Sequence, residues 1–162
     1  MEATQSSSSA GGRTSWQMAF EAIQDYPEER ELIYLAAFFD AEGNIAILHI
    51  KPTKAHPYEQ YALTVSVVQK EPGILDSYKV FGGSVYYNKR GEGFYQWHIH
   101  GDKAASFLKA ILPYLRLKRE QAAKGIEFQS LIRHRYGRGL YRPASDLIKQ
   151  AKVYEEFRQL RC

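Results

Sequence analysis

The chain is almost without sulfur: of 162 residues one is cysteine, Cys162, and two are methionine. A lone cysteine excludes a disulfide framework and a CxxC metal knuckle, and points to a reducing, intracellular home, organellar or bacterial, with nothing finer legible. No apolar run approaches the roughly 20 residues of a membrane span, the longest lying around Tyr34 to Phe39, and no charged-then-apolar secretory leader opens the chain. No membrane partner is expected. What is present is an ordinary globular composition, 44% hydrophobic and 25% charged, at a length that buries a single core unaided. Residues 1–13 (MEATQSSSSAGGR) have nothing to bury and read as a disordered tail, leaving 14–162 as one domain.

Charge is unevenly spread. From Phe20 to Gly43 seven acids face one base, whereas from Asn44 to Arg142 sixteen bases face seven acids. A basic face of this kind fits a polyanion, although a scatter of solvated lysines gives the same sum.

The periodicity predicts a short helix from Ser15 through Trp16, Phe20 and Ile23 to Tyr26-Pro27, then a second from Pro27-Glu28-Glu29 through Leu32, Leu35, Phe38 and Phe39 to Gly43. Beyond Gly43 the period falls to 2. Strands are predicted over Ile45 to Lys51 and around Tyr61 to Val67, then a short helix from Ile74 to Val80, then a hairpin of Ser84 to Asn88 and Phe94 to His100 about Lys89-Arg90-Gly91-Glu92-Gly93. Asp102 is expected to cap a helix ending at Pro113, a longer basic helix covers Leu115 to about Arg133, a loop spans Arg135 to Arg142, and Ser145 caps a last helix to Leu160. This order is an α+β domain with an antiparallel sheet, helices on one face and the other open. The open face displays hydrogen-bonding side chains with lysine and arginine at strand ends, which suits reading DNA bases and gripping phosphates; solvated strand faces also have that composition. Arg133, Arg135, Arg138 and Arg142 could likewise grip phosphates or form a plain basic turn. His98, His100 and His49 make only a weak zinc motif, with no cysteine or acid in support.

The helix ending Leu35-Ala36-Ala37-Phe38-Phe39-Asp40-Ala41-Glu42-Gly43 breaks a local rule. Asp40 and Glu42 stand at the carboxyl end, where the dipole is already negative, so something must compensate, and a bound cation would. Tyr34, Ala37 and Ala41 fall at i, i+3 and i+7 and make a narrow face of mostly small residues opposite Leu35, Phe38 and Phe39. That face would admit another helix closely, or merely abut a neighbour in the same chain.

LAAFFDAEG resembles the motif of the LAGLIDADG homing endonucleases, and VSVVQKE around Gln69 and LPYLRLKREQA around Lys118 resemble two further segments of that family, in the same order over about Leu32 to Ser130. The match is to the single-motif, homodimeric branch. The resemblance implies an αββαββα domain with a saddle-shaped antiparallel sheet. It implies Glu42 as the metal-binding carboxylate, with the Ala41 carbonyl as second ligand. Gln69 would position solvent, Lys118 would stabilise charge or assist the attacking water, and Asp40 would be structural. It also implies Mg²⁺ as cofactor, with Mn²⁺ or Ca²⁺ able to occupy the site. Double-stranded DNA and a second copy of the chain are the implied partners, the two copies meeting through Tyr34, Ala37 and Ala41. Asn44, His49, Lys51, Gln60, Thr64, Ser66, Tyr86, Asn88, Gln96 and His98 are expected toward the DNA groove, with Lys89 and Arg90 nearer the backbone. Relative to the family's usual pattern one residue is inserted in the first strand, as a bulge would be, which blurs whether Leu48, His49 or Ile50 faces DNA. Glu71-Pro72-Gly73 stands where the family often has a base; Lys70 is a substitute, or the site is slower. The function implied is site-specific cutting of both DNA strands at a long pseudo-palindromic site, leaving 3′ overhangs. An RNA-binding intron maturase and a cleavage-inactive DNA-binding regulator are the alternatives.

Overall fold

The structure, a computed structural model, describes residues 27–132 and 143–160. The expected tail, the helix from Ser15 to Tyr26, and Arg133, Arg135, Arg138 and Arg142 lie outside the described residues. Helix α1, Glu29–Glu42, carries Glu29 and Glu31 in its first turn, where the positive end of the dipole favours acids. It passes with no intervening loop into strand β1, Gly43–Ile50. Only glycine allows that junction: a Cβ on Gly43 would collide with the Phe39 ring, while the Gly43 N–H donates to the Phe39 carbonyl.

Strand β2, Gln60–Gln69, leads to the short helix α2, Gly73–Tyr78, and a 3₁₀ turn over Lys79–Phe81. Strands β3, Ser84–Asn88, and β4, Phe94–His100, follow, then helices α3, Gly101–Ile111, α4, Arg119–Ser130, and α5, Ala144–Gln159. The strands form one antiparallel sheet in the order β1-β2-β4-β3. The α+β architecture expected from the change of period is therefore the observed one. No helix among the described residues is long and apolar enough to cross a membrane.

Alternation assigns the faces. Ile45, Ile47, Leu63, Val65, Val67, Trp97 and Ile99 are buried under Leu35, Ala36 and Phe39 of α1, Phe107, Leu108 and Ile111 of α3, Ala122 and Phe128 of α4, and Val153 and Phe157 of α5. Aromatic edges lock this layer: Phe107 meets Phe39 at 5.2 Å, Trp97 at 5.1 Å and Phe81 at 4.9 Å between ring centroids, in edge-to-face contacts worth roughly 0.5–1.5 kcal/mol each beyond area burial. The Tyr78 hydroxyl donates to the Leu35 carbonyl at 2.8 Å and the Trp97 indole to the Gly82 carbonyl at 3.0 Å, so both large amphipathic residues are satisfied. Burial raises the Tyr78 phenol well above its usual pKa, with Tyr34 adding to the shift, so it stays a neutral donor.

Four expectations change. The β1–β2 register runs unbroken from Gly43↔Val67 to Ile50↔Gln60, so the first strand has no bulge. The helix expected from Leu115 begins only at Arg119, because the N–H groups of Arg116, Leu117 and Lys118 are drawn to the Asp40 carboxylate. Asp102 sits in the first turn of α3 rather than capping it, and accepts from the Gln129 amide at 2.9 Å. The last helix begins at Ala144 after Pro143, so Ser145 lies inside it; a proline at that boundary needs no side-chain cap to break the preceding conformation.

Candidate active site and nucleic-acid interface

The site begins at the carboxyl end of α1. Asp40 is 8% exposed. Its carboxylate accepts the N–H groups of Arg116 at 2.6 Å, Leu117 at 3.2 Å and Lys118 at 3.0 Å. The Lys118 ammonium also donates to the Asp40 carbonyl. The negative helix end is thus answered twice, by backbone donors on the carboxylate and by a cation on a terminal carbonyl. Asp40 is structural, and it fastens the approach to α4 onto the end of α1.

Glu42, two residues on, is exposed and has a different setting. It lines an open groove with Val68, Gln69, Lys70, Arg90, Glu92, Gly93 and Phe94. The groove therefore joins the end of α1, the end of β2 and the β3–β4 turn. Lys70 and Glu92 pair across it at 3.0 Å, both side chains largely in solvent, where such a pair adds little stability. Glu42 and Gln69 line the same groove. Lys118 is not among the residues lining that groove; its ammonium is held at the helix end by the Asp40 carbonyl. Lys70 and Arg90 are the two basic residues that line the groove.

Among the described residues no three His, Cys, Asp or Glu side chains converge as a metal cage. That donor set still fits a hard divalent cation, since Mg²⁺ is commonly held by one or two carboxylates with substrate phosphates and water completing its shell. Glu42 offers a carboxylate, and Ala41 lies at a helix end where carbonyls run out of helical partners. The open zinc question closes on geometry: His98 and His100 stand on one face of β4, 5.8 Å apart between rings, while His49 projects from the opposite face of the sheet.

The uncovered face of the sheet reads off the register in rows. Asn44, Ser66, His98 and Ser84 form one; Val68, Gln96 and Tyr86 form the next toward the groove; Ala46, Thr64 and His100 lie on the outer side. Gln60, paired with Ile50, and Asn88, paired with Phe94, share this face. Lys51, Lys89 and Arg90 are exposed beyond the strand ends. Ser66 is 8% exposed, recessed at the sheet centre. The Thr64 hydroxyl donates to the Ala46 carbonyl at 3.4 Å, and the Asn88 side chain accepts the Arg90 N–H at 3.0 Å, so each also braces the local backbone. Burial, with His100 as a second cause, pushes the His98 imidazole below its usual pKa, keeping it neutral and able to donate or accept.

His49 is the correction. Its partner Tyr61 belongs to the covered face; the rings stack at 4.8 Å, Tyr154 of α5 lies 5.8 Å away, and the imidazole bonds to Glu59. With no bulge to reverse the alternation, His49 fastens the β1–β2 hairpin to α5, and Leu48 and Ile50 take the open face. Val68, Phe94, Ser84 and His100 also stand on that face and went unselected from the sequence. Strict period-2 counting from Trp97 or Val67 locates Val68, Phe94 and His100, and pairing with His98 locates Ser84.

No family model matches the chain. A 68-residue stretch, 41% of this chain, is 34% identical to the intron-encoded RNA maturase bI4 of Saccharomyces cerevisiae, and spans only 10% of that protein's length. Similar solved structures cover far more. The homing endonuclease I-CvuI, in complex with the I-CreI target in the presence of Mg with the DNA not cleaved, superposes with a TM-score of 0.69 at 25% identity over 85% of this chain and 84% of its own. The archaeal intron-encoded homing endonuclease I-Vdi141I, complexed with DNA, gives a TM-score of 0.67 at 18% identity over 83% and 86% of the two chains. The group I intron-encoded I-CeuI, also complexed with DNA, gives 0.64 at 12% identity over 80% and 67%.

Proposed function

We propose that this chain, whose fold is that of the LAGLIDADG homing endonucleases, is a site-specific endonuclease that hydrolyses both strands of duplex DNA as a homodimer. The observation that carries the reading is the pairing of an exposed Glu42 at the end of α1 with Gln69, Lys70 and Arg90 in one open groove, set at the inner end of an uncovered polar sheet.

The residues divide the work by chemistry. Glu42 and the Ala41 carbonyl are the oxygens that would hold Mg²⁺, or Mn²⁺ or Ca²⁺ in its place. When bound, the ion supplies Lewis-acid stabilisation of the phosphate and a nucleophilic water at neutral pH. The Gln69 amide orients solvent. Lys118, held against the helix end by the Asp40 carbonyl, adds positive charge beside the phosphate, and Lys70 and Arg90 grip the backbone. Asn44, Ser66, Gln96 and His98 present donors and acceptors to base edges.

One groove holds one Glu42, and cutting two strands calls for two. The outward face of α1 supports the pairing: Arg30, Ile33, Tyr34, Ala37 and Ala41 recur at helical spacing and are all exposed, with Tyr34 at 55%. A second copy would cover this stripe and bring both Glu42 side chains toward one duplex, and its two-fold symmetry would select a pseudo-palindromic site.

Incubating the protein with a randomised duplex library and Mg²⁺ tests the reading. Discrete double-strand cuts at one site are expected. Retention without cutting would make the chain a regulator, and stimulation of intron splicing without DNA cleavage would make it a maturase.

A further inference from the structure

The open face is not uniformly polar. On edge strand β1 it carries Asn44, Ala46, Leu48 and Ile50, and the residues opposite Leu48 and Ile50 on β2 are Ala62 and Gln60. Leu48 is 47% exposed and Ile50 42%. They lie outside the core, which takes the alternate residues Ile45 and Ile47. Bare aliphatic side chains on an edge strand are an aggregation hazard that proteins ordinarily blunt with charge. Here the outer half of β1 carries them on the face opposite the helices.

Resting on the reading of this face as a DNA surface, we infer that Leu48 and Ile50, with Ala62 beside them, form an apolar strip that reads thymine methyl groups in the major groove. The thymine C5-methyl is the one apolar group that base edges present there, and aliphatic contact with it discriminates T·A from the other pairs. Lys51, just past Ile50, and the groove bases Lys70 and Arg90 give the two ends of this face the charge that a phosphate backbone requires. RNA is a poor occupant, because uracil lacks the methyl and the A-form major groove is too narrow for side chains to read.

The strand also sets the spacing. Same-face neighbours along a strand lie about 6.7 Å apart, close to two base-pair rises of 3.4 Å. Leu48 therefore falls about four base pairs, and Ile50 about six, outward from the pair that Asn44 meets. The half-site divides into an inner part read by hydrogen bonds from the row of Asn44, Ser66, His98 and Ser84, and an outer part read by methyl contact.

The test uses the tightest duplex recovered from a randomised DNA library, with each thymine replaced in turn by deoxyuridine, symmetrically in both half-sites. This removes a methyl and leaves every hydrogen-bonding group in place. Wild-type binding is expected to weaken about fourfold per methyl lost at two outer positions, the loss that burial of one methyl group implies. Leu48→Gln and Ile50→Gln, both at exposed positions, should each lose the response at one of those positions. Indifference to deoxyuridine, or selection of G·C pairs there, with cutting retained, would overturn the strip and leave the endonuclease intact. Retention of no duplex at all would overturn both. If the two variants instead dissociate the protein in sedimentation without DNA, the strip is a contact between copies and the inference fails.

Discussion

Two carboxylates at the end of α1 stand two residues apart and live in different chemistry. Asp40 is buried, with three backbone N–H groups on its oxygens and Lys118 on its carbonyl. Glu42 faces an open groove beside Gln69. The difference teaches how a helix can end on acids: one is satisfied by the fold, which leaves the other available to a ligand. Sequence places both against the dipole. Among the described residues only Asp40 is compensated by the protein's own donors.

Substitution can break that comparison at either member. Asp40→Ala strands the N–H groups of Arg116, Leu117 and Lys118, so it is expected to cost about 3 kcal/mol of stability, the scale of losing hydrogen bonds to a charged group. Chemical denaturation of both variants checks it, since Glu42→Gln should leave stability within about 0.5 kcal/mol as an exposed change does. Equal losses would erase the distinction.

The outward stripe of α1 gives the next largest effect. Ala37→Leu should clash between paired helices and weaken the dimer by about 1–3 kcal/mol, as overpacking does, read by sedimentation. In the isolated chain Ala37 is exposed, so folding of the monomer should be unaffected. Lys118→Met sharpens the role of the cation on the Asp40 carbonyl: about 0.5–1 kcal/mol of stability should go, with cleavage falling further than binding. A dimer or a cleavage rate unchanged by these two variants would detach the helix end from the reaction.

His98 provides the smallest effect, through pH. Its folded pKa lies below the ordinary value, so the unfolded chain binds the proton more readily and stability rises with pH across that window. The contribution is complete above the unfolded value of about 6.5 and disappears as pH falls through the lowered one. His98→Gln should flatten this part of the denaturation-midpoint profile below about pH 6.5.

Much of this was legible in the chain because local rules and tertiary structure agree. The change of period at Gly43 marks where α1 becomes β1, and alternation through Leu63, Val65 and Val67 names the covered face. Glu42 and Asp40 announce themselves by standing at the wrong end of a helix. The helix expected at Leu115 starts late because its first N–H groups go to a carboxylate more than seventy residues away, a partner that no local pattern contains. His49 reads as a groove residue when a bulge is assumed. Only pairing with Tyr61 fixes it on the other face, since a one-residue slip reverses every side chain of a strand. The exposure of Leu48 and Ile50 was hidden by the same ambiguity.

The central claim is that Glu42 serves the reaction and not the fold or the grip on DNA. Its most direct test measures binding and Mg²⁺-dependent cutting of one selected duplex by the wild-type protein and Glu42→Gln side by side. The account predicts affinities within about tenfold of each other, or 1.4 kcal/mol, and no double-strand cutting by the variant. Cutting by Glu42→Gln at the wild-type rate would contradict it.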